Sequence, residues 1–578
     1  MKWEQRNPKL NTIKEVVMSN NPGISEEELL NDQNEYKIKD IHLIIEKLKE
    51  AKKNNIFITV VGDYDVDGVT SSTEWEYILR ELGVRYRIRL PKRHSEGYGL
   101  NEKIIDEIDE GILITVDNGI AALSSIKKAK DKGLYVIVVD HHQPPMDSDG
   151  NKVLPDADII LDPHAIEDQA DFIYYCGAGL TYKIGQQLFG DDSFVVNRLS
   201  CFAAIGTVAD VVSLTGDNRK IVKKGLENLM AYKTRTTGLG KLMQAFYINK
   251  RITAEDIGYS LGPAINACGR LGDPVAPEEA DQARKTIAFN GNLDEAENLA
   301  EGLVLVNKER QRMVKAADRY AENMIEENAM YGEAPLIINI PDINEGIIGI
   351  IAGHLTEKYG VPSIVLTNSS KDYEVLKGSG RSVADVNLKE LLDTCKDDLL
   401  GYGGHPGAAG LSIRVENLDT FRAHMQENIG DFSFTPKSLM YDIEITEDKI
   451  KSLIPELDKY GPYGNGNPEP IFLIRNYKLF PKDNQMFRIS GAENEHVKFF
   501  GSSTYASAFF QNSKYIELGQ PKTMNLIGTL DTSCFNNKMS YGIKVLDMEA
   551  VKEDPRKRPS LADMVHKKTL EVNKQKGL

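Results

Sequence analysis

Three apolar runs early in the chain are each followed directly by acidic or histidine residues. The runs cover residues 56–62, 112–116 and 135–139. Continuous apolar runs of this length are typical of strands buried on both faces, as in a parallel sheet. Helical patterns follow at residues 71–82 and 121–132, so strands and helices alternate. This alternation predicts an α/β domain with a mostly parallel sheet.

The later part of the chain shows two further patterns. Residues 293–328 carry apolar side chains at three-four spacing, interrupted by Arg310, and predict one long helix. It would connect two lobes or pack along one domain. A second α/β pattern follows and ends in a glycine-rich stretch, residues 401–410, which predicts a loop around His405. From about residue 437, short strands predict a small β-barrel, possibly of the OB type.

These patterns predict a chain of several domains, because 578 residues are too many for one core. The N-terminal residues are expected to wrap the first domain. The predicted parts are an N-terminal extension (1–40), a first α/β domain (41–285), a connecting helix (286–332), a second α/β domain (333–430), an OB-like domain (437–550) and a basic tail (551–578).

Composition changes this picture only slightly. The formal net charge of −16 does not favour nucleic-acid binding, but metal-binding carboxylates contribute to it and bound cations reverse the local field. The basic tail is either a solvated segment or a nucleic-acid arm. Five scattered cysteines without a CxxC pair are typical of a reducing cytoplasm. We expect a cytoplasmic protein, since the chain shows no membrane span and no signal peptide.

The acidic clusters predict a metal site. The carboxyl ends of parallel strands meet at one crevice, which would collect Asp63, Asp65 and Asp67 with Asp117, Asp140, His141 and His142. Carboxylates that are partly desolvated repel one another unless a cation lies between them. Asp210, from a helical segment, would add a ligand. This oxygen-rich set favours Mn²⁺ or Mg²⁺ over Zn²⁺, and two such ions suit hydrolysis at phosphorus.

The motifs resemble those of a known superfamily. Residues 63–68, 117–119, 140–142 and 206–210 resemble, in order, the motifs of the DHH phosphoesterases, and Gly404-His405 resembles the motif of the DHH-associated second domain. Residues 265–271, 378–382 and 462–470 are similar to one branch, the RecJ-type exonucleases specific for single strands. The chain departs from that branch at Ala264 and at residues 344–346.

The resemblance implies a fold and an activity. The fold would be a parallel-sheet DHH catalytic domain, joined by a long helix to a smaller α/β DHH-associated domain and followed by an OB-like β-barrel. The activity would be 5′-to-3′ exonuclease action on single-stranded DNA with two Mn²⁺ or Mg²⁺ ions, in recombination and repair.

The resemblance also implies roles for individual residues. The implied metal ligands are Asp65, Asp67, Asp117, His141 and Asp210, with Asp63 as a further ligand or supporting group. His142 would lie beside the metals and act in catalysis with Asp117 and Asp67. The implied phosphate-binding residues are Arg93, Arg270, Ser379, Arg381, Gly404 and His405. Any one arginine could instead form a surface salt bridge.

The OB-like domain would grip the strand by base stacking and cationic contacts. Its aromatic candidates, of which half or more are expected in the core, are Phe499, Phe500, Tyr505, Phe509 and Phe510.

Two other functions remain open on sequence alone. One is a DHH phosphodiesterase for short oligonucleotides or cyclic dinucleotides, or a pyrophosphatase; such enzymes are shorter and lack the segment after residue 437. The other is an inactive replication or repair scaffold, which would have lost ligands that are present here. Expected partners are a single-strand-binding protein and a helicase, with no membrane contact, and the chain is expected to be a monomer.

Overall fold

The computed structural model describes residues 2–30, 35–232, 237–248, 251–430, 438–535 and 538–551. The predicted basic tail, apart from Val551, lies outside the described residues. The chain divides into two compact units. The large unit contains Asn20–Lys437 and Gly461–Pro468, and the small unit contains Met1–Ser19, Ser438–Tyr460 and Glu469–Leu578. No helix in the described ranges is long and apolar enough to cross a membrane.

The N-terminal segment follows the prediction only in part: residues 20–30 and 35–40 lie in the large unit, where Lys39 N donates to the Gln169 carbonyl at 2.8 Å, whereas residues 2–19 lie in the small unit. Its elements are β1 (Trp3–Gln5), α1 (Ile13–Asn20), α2 (Glu26–Leu30) and α3 (Ile41–Asn54). Strand β1 pairs in parallel with Leu439–Tyr441, and the Trp3 indole donates a hydrogen bond to Asp547. The first residues therefore belong to the small unit, through long-range pairing that no local pattern reveals.

A five-stranded parallel sheet forms the centre of the first α/β domain. Its elements are β2 (Ile58–Val61), α4 (Val66–Leu82), β3 (Tyr86–Arg89), α5 (Glu102–Asp106), β4 (Ile112–Val116), α6 (Leu123–Asp131), β5 (Tyr135–Val139) and β6 (Ile159–Leu161). The strand order is β3-β2-β4-β5-β6. Strands β2 and β4 are wholly buried, as their apolar runs predicted. The direction of winding reverses between β2 and β4, which opens a crevice at their carboxyl ends.

Helices complete this domain and lead to the next. They are α7 (Gly177–Phe189), α8 (Phe194–Ala209), α9 (Gly216–Tyr232), α10 (Gly238–Ala245), α11 (Ala254–Asp256), a π-helical turn (Ile257–Leu261), α12 (Gly262–Leu271), α13 (Ala280–Ala288) and α14 (Leu293–Glu327). The long helix α14 begins at its Asn292 cap. It contacts α10, α12 and α13 of the first domain and α15 (Ile348–Tyr359) of the second. It therefore packs along one domain and also connects to the other.

The second α/β domain contains a mixed five-stranded sheet. Its elements are β7 (Leu336–Asn339), α15, β8 (Ser363–Asn368), β9 (Val375–Arg381), α16 (Leu388–Asp393), β10 (Leu399–His405), β11 (Ala408–Arg414) and α17 (Leu418–Asn428), in the strand order β10-β11-β9-β8-β7. The loop expectation for residues 401–410 is wrong. This stretch forms a hairpin in which His405 faces Ala408, because β11 pairs with β9 and extends the sheet to β10.

The C-terminal domain is built on a seven-stranded mixed sheet. Its elements are β12 (Leu439–Tyr441), β13 (Ile443–Ile445), α18 (Ile450–Tyr460), β14 (Phe472–Lys478), β15 (Phe487–Ser490), β16 (His496–Phe500), β17 (Tyr505–Ala508), α19 (Asn512–Glu517), β18 (Thr523–Phe535) and β19 (Lys538–Ala550). Strands β18 and β19 extend well beyond their apolar halves, because the hairpin ladder continues through polar residues such as Thr532 and Tyr541. The predicted fold class is confirmed.

Candidate metal centre

The first acidic cluster lies at the start of α4. Asp65 caps this helix, and its carboxylate accepts a hydrogen bond from Gly68 N at 3.0 Å. The helix begins five residues earlier than predicted, so Asp67 lies in its first turn and not on a loop. Carboxylates are favoured at both positions, because the N-terminal N–H groups of a helix lack partners and carry partial positive charge.

Asp67 is held by the N-terminus of a second helix, α7. Its two oxygens accept hydrogen bonds from Gly177 N at 2.6 Å and Ala178 N at 2.9 Å. A Cβ atom on Gly206 of α8 would lie 2.7 Å from Asp67 Oδ1. Glycine in this motif therefore lets α8 approach the carboxylate.

His141 joins ligands from three different elements. Its Nε2 lies 3.0 Å from Asp117 Oδ1, 3.7 Å from Asp67 Oδ2 and 3.7 Å from Asp210 Oδ2. Asp117 has a φ of +59°, a left-handed conformation that is uncommon outside glycine and clusters at functional sites. Asp210 caps the C-terminal end of α8.

All six predicted metal ligands fall into sets whose ligand atoms lie within 4.8 Å of one another. One set contains Asp63, Asp65 and Asp117, and a second contains Asp67, His141 and Asp210. A third set combines Asp117 with Asp140, His141 and His142. The structure thus brings together residues from β2, β4, β5 and α8, as the strand-end argument predicted.

These buried carboxylates repel one another. Burial raises the pKa of Asp63 and Asp117 well above the usual range, and neighbouring carboxylates raise it further. Burial, together with Asp67 and Asp65, raises the pKa of Asp210 to about 8. Asp63 Oδ2 is buried without a hydrogen-bond partner in the described part of the chain. A divalent cation would supply the missing partner and the opposite charge, so the residues fit Mn²⁺ or Mg²⁺.

His142 is oriented by a residue to which the sequence assigned no separate role. Its Nδ1 lies 2.8 Å from Asp140 Oδ1, and Asp140 is itself held by Ile120 N at 2.9 Å. Burial lowers the pKa of His142, but the hydrogen bond and charge of Asp140 outweigh it and raise the pKa to about 9. Tyr98, from the glycine-flanked loop before α5, donates to the Asp117 carbonyl at 3.1 Å and lies 3.3 Å from His142 Nε2.

A cationic cavity of about 440 Å³ lies within the large unit. Predicted phosphate-binding residues line it together with other polar side chains: Arg93, Ser379, Arg381, Tyr64, His94, Lys377 and Glu345. Arg381 Nη1 lies 3.3 Å from Ser379 Oγ, to which it donates. A Cβ atom on Gly349 would lie 3.1 Å from Arg381 Nη2, so glycine leaves room for the guanidinium.

Arg270 brings a further positive charge close to this cavity. Burial, together with the charges of Arg93, Arg310 and Arg381, lowers its pKa to about 10. Within the described ranges, none of these four arginines forms an ion pair with a carboxylate. The surface-salt-bridge alternative therefore does not account for them. Arg310, which appeared in the sequence only as a break in an apolar stripe, donates to Asn307 and completes the group.

The departures from the RecJ-type motifs have structural roles. Ala264 is buried in α12, and Asn344 Nδ2 donates to the Leu271 carbonyl at 2.8 Å. Arg270 Nη1 donates to the Gly346 carbonyl at 3.1 Å. Residues 344–346 therefore hold the end of α12 and orient Arg270.

Other predicted contact residues lie away from this cavity. Gly404 and His405 are exposed at the end of β10 and do not line it, so their contact with the scissile phosphate stays a prediction. Three of the aromatic candidates in the C-terminal domain are core residues: Phe499, Phe500 and Tyr505. Phe509 and Phe510 are 50% and 74% exposed, so a base-stacking role stays a prediction for these two.

Three family models match successive parts of the chain. The DHH family, N-terminal domain, matches residues 57–207, the DHHA1 domain matches residues 333–431, and the RecJ OB domain matches residues 441–547. The fold and the carboxylate site thus define a protein of the DHH class.

Similar proteins identify the branch. The single-stranded-DNA-specific exonuclease RecJ of Bacillus subtilis is 32% identical over 525 residues, which are 89% of this chain and 64% of that protein. The protein of the same name from Haemophilus influenzae is 30% identical over 565 residues, 91% of this chain and 92% of the relative. A crystal structure of RecJ with Mn²⁺ from Thermus thermophilus has a TM-score of 0.75 at 24% identity, covering 95% of this chain and 79% of that one. The chain belongs to the RecJ family.

Metal binding should stabilise the protein measurably. At a Mn²⁺ concentration 100-fold above Kd, a ligand specific for the folded state adds about 2.7 kcal/mol to the free energy of unfolding. We expect Mn²⁺ to raise Tm in a thermal melt, and Asp117→Asn to abolish most of that rise. The same substitution should leave Tm in chelator unchanged or higher, because it removes a repelling carboxylate.

Asp109→Asn is the matched control, because Asp109 is exposed in the segment before β4 and lies outside all three ligand sets. It should keep the full Mn²⁺ response. A normal Mn²⁺ response in Asp117→Asn would contradict the assignment of Asp117 as a ligand.

Proposed function

We propose that this chain is a metal-dependent 5′-to-3′ exonuclease that hydrolyses the phosphodiester bonds of single-stranded DNA in recombination and repair. The observation that carries the proposal is the pairing, within one compact unit, of a carboxylate–histidine cluster with a cavity lined by arginines that have no carboxylate partner among the described residues. The first feature suits metal-assisted phosphoryl chemistry and the second suits a polyanionic substrate. The relatives named as single-stranded-DNA-specific exonucleases support the substrate.

Two Mn²⁺ or Mg²⁺ ions would be held by the six predicted ligands. Asp63, Asp65 and Asp117 would hold one ion, and Asp67, His141 and Asp210 would hold the other; Asp117 also contacts His141 at 3.0 Å. When bound, such ions supply an activated water and neutralise charge at phosphorus. Asp67 and Asp117 count as catalytic because they would bind the ions directly.

His142 would act beside the metal centre as a cation. Asp140 fixes its ring, and its charge raises the pKa of His142 and favours the protonated imidazole. Nε2–H of the protonated ring can donate to a phosphate oxygen. The Tyr98 hydroxyl lies 3.3 Å from the same nitrogen. A protonated imidazole stabilises negative charge that develops on the phosphoryl group.

The arginine cavity would hold the 5′-terminal phosphate or the adjacent backbone. Arg93, Arg381 and Ser379 line it directly, while Arg270 and Arg310 contribute positive charge. A guanidinium group suits phosphate because its planar fork makes two parallel hydrogen bonds. Recognition of one strand end would set the polarity of digestion.

The matched RecJ OB domain favours this proposal over the shorter DHH phosphodiesterases, which lack such a segment. The full set of ligands favours it over an inactive scaffold. Exposed Phe509 and Phe510 would stack on bases. The same proposal includes the domain boundaries drawn from sequence, a cytoplasmic location and a monomeric state. It also includes contacts with a single-strand-binding protein and a helicase.

Digestion of end-labelled DNA tests the proposal. A single-stranded oligonucleotide labelled at its 5′ end should release labelled mononucleotide at once, whereas a 3′ label should appear only late. Release should require Mn²⁺ or Mg²⁺, stop with chelator and spare a blunt duplex. An intact long strand beside hydrolysed short oligonucleotides or cyclic dinucleotides would instead identify a small-nucleotide phosphodiesterase, and no hydrolysis of any substrate would point to a scaffold.

Arg381 should discriminate between strand ends. Loss of a charge-assisted hydrogen bond costs about 1.5–3 kcal/mol, so Arg381→Ala should raise KM for a 5′-phosphorylated strand roughly tenfold or more. The effect on a 5′-hydroxyl strand should be small. Arg414→Ala is the matched control, because Arg414 is an exposed arginine of the same sheet outside the cavity. Equal losses on both kinds of end would rule out a terminal-phosphate role.

A further inference from the structure

The turn that follows Asp210 is strained and only partly held by its own segment, in which Val211 N donates to the Val208 carbonyl at 3.3 Å and Asn218 Nδ2 donates to the Ser213 carbonyl at 3.0 Å. Val211 has a φ of +60°, a genuine outlier for a β-branched residue, and its side chain is 64% exposed. Apolar packing therefore does not hold Val211 in this conformation. Asp210 itself lies where α8 ends, and a helix C-terminus offers carbonyl groups and partial negative charge, which do not favour a carboxylate. A further contact stabilises the Val211 carbonyl.

That contact comes from a segment more than 200 residues away in sequence. The loop Gly461–Pro468 belongs to the large unit, although the chain on either side of it belongs to the small unit. Asn465 Nδ2 donates to the Val211 carbonyl at 2.7 Å. The Asn465 carbonyl accepts from Leu214 N, also at 2.7 Å. One residue of the loop thus bonds to both ends of the turn between Val211 and Leu214.

The loop is shaped to make this contact. A Cβ atom on Gly464 would lie 2.6 Å from Leu214 Cδ1, and one on Gly466 would lie 2.1 Å from Ser213 Oγ. Gly466 also has a φ of +76°, which glycine adopts without strain. Asn467 is fully buried and donates to the Pro462 carbonyl at 2.9 Å. Two glycines therefore allow close approach to the turn, and Asn467 keeps the loop closed.

We propose that Asn465 is a positioning residue for the metal centre: by holding the Val211 carbonyl it fixes the turn after Asp210, and so the direction in which the Asp210 carboxylate points. This inference rests on the proposed role of Asp210 as a metal ligand. Residues that orient ligands without touching the metal typically contribute 10- to 100-fold to metal affinity. Without the Asn465 amide, Val211 can leave the left-handed region and Asp210 loses its place beside His141.

The sharpest test is Asn465→Asp in the full-length chain. This substitution keeps the shape of the side chain but replaces the donor facing the Val211 carbonyl by an oxygen. Calorimetric titration with Mn²⁺ alone should show Kd raised roughly tenfold or more, while Tm in chelator changes little. Saturating Mn²⁺ should restore kcat with KM for DNA unchanged, which a variant that merely unfolds would not show.

Three companion variants make the result specific. Asn465→Ala removes the donor without adding charge, so it carries the same test if Asn465→Asp does not fold. Asn328→Asp is the matched control, since Asn328 Nδ2 likewise donates to a carbonyl, that of Met324, at the exposed end of α14; it should bind Mn²⁺ normally. Asp210→Asn sets the scale for loss of the ligand itself.

Two outcomes would overturn the proposal, and they can be told apart from failure of the proposed function. Normal Mn²⁺ affinity in both Asn465 variants, beside weakened affinity in Asp210→Asn, would remove Asn465 from the metal centre and leave the centre intact. A fall of Tm in chelator with unchanged Mn²⁺ affinity would assign Asn465 a purely structural role. Normal affinity in Asp210→Asn would instead refute the ligand assignment on which the inference rests.

Discussion

The constraint on which the rest of the structure depends is the burial of several carboxylates at one edge of a parallel sheet. Asp63, Asp67 and Asp117 are almost wholly inaccessible to water, and burial together with repulsion from neighbouring carboxylates raises their pKa values. Such an arrangement is stable only if the fold supplies N–H donors and a cation supplies the remaining charge. The N-terminus of helix α7 provides two donors for Asp67, and Gly99 N provides one for Asp63.

The surroundings of the centre follow from the same requirement. Glycine occurs where a helix or loop must come within contact distance of a ligand, as at Gly177 and Gly206. Left-handed backbone occurs at Asp117 and immediately after Asp210, where the chain must turn sharply to present a carboxylate. Conformational strain at both positions is offset by hydrogen bonds from other parts of the chain.

Opposite charges gather at two separate places within the large unit. Carboxylates and His141 gather on the parallel sheet, whereas Arg381 comes from the second sheet and Arg93 from the loop before α5. The arginines repel one another as the carboxylates do, since their charges add to burial in lowering the pKa of Arg270. Metal ions would neutralise the carboxylates, and a phosphodiester would neutralise the arginines. The two charged groups therefore complement the substrate and its ions and do not pair with each other.

The amino-acid sequence by itself determined the buried strands, the long helix and which acidic and histidine side chains meet at one crevice, because apolar periodicity and acidic clusters at strand ends are local signals. The apolar pattern placed the start of α4 at residue 71, whereas the helix begins at Val66 behind the Asp65 cap, a local signal that apolar periodicity does not register. Nor could local signals distinguish the buried Phe499 from the exposed Phe510, because strand pairing decides which faces are covered. Only the tertiary structure placed residues 2–19 in the small unit, turned the glycine-rich stretch into a hairpin and brought Asn465 to Val211, since these contacts join residues far apart in the chain and depend on three-dimensional packing.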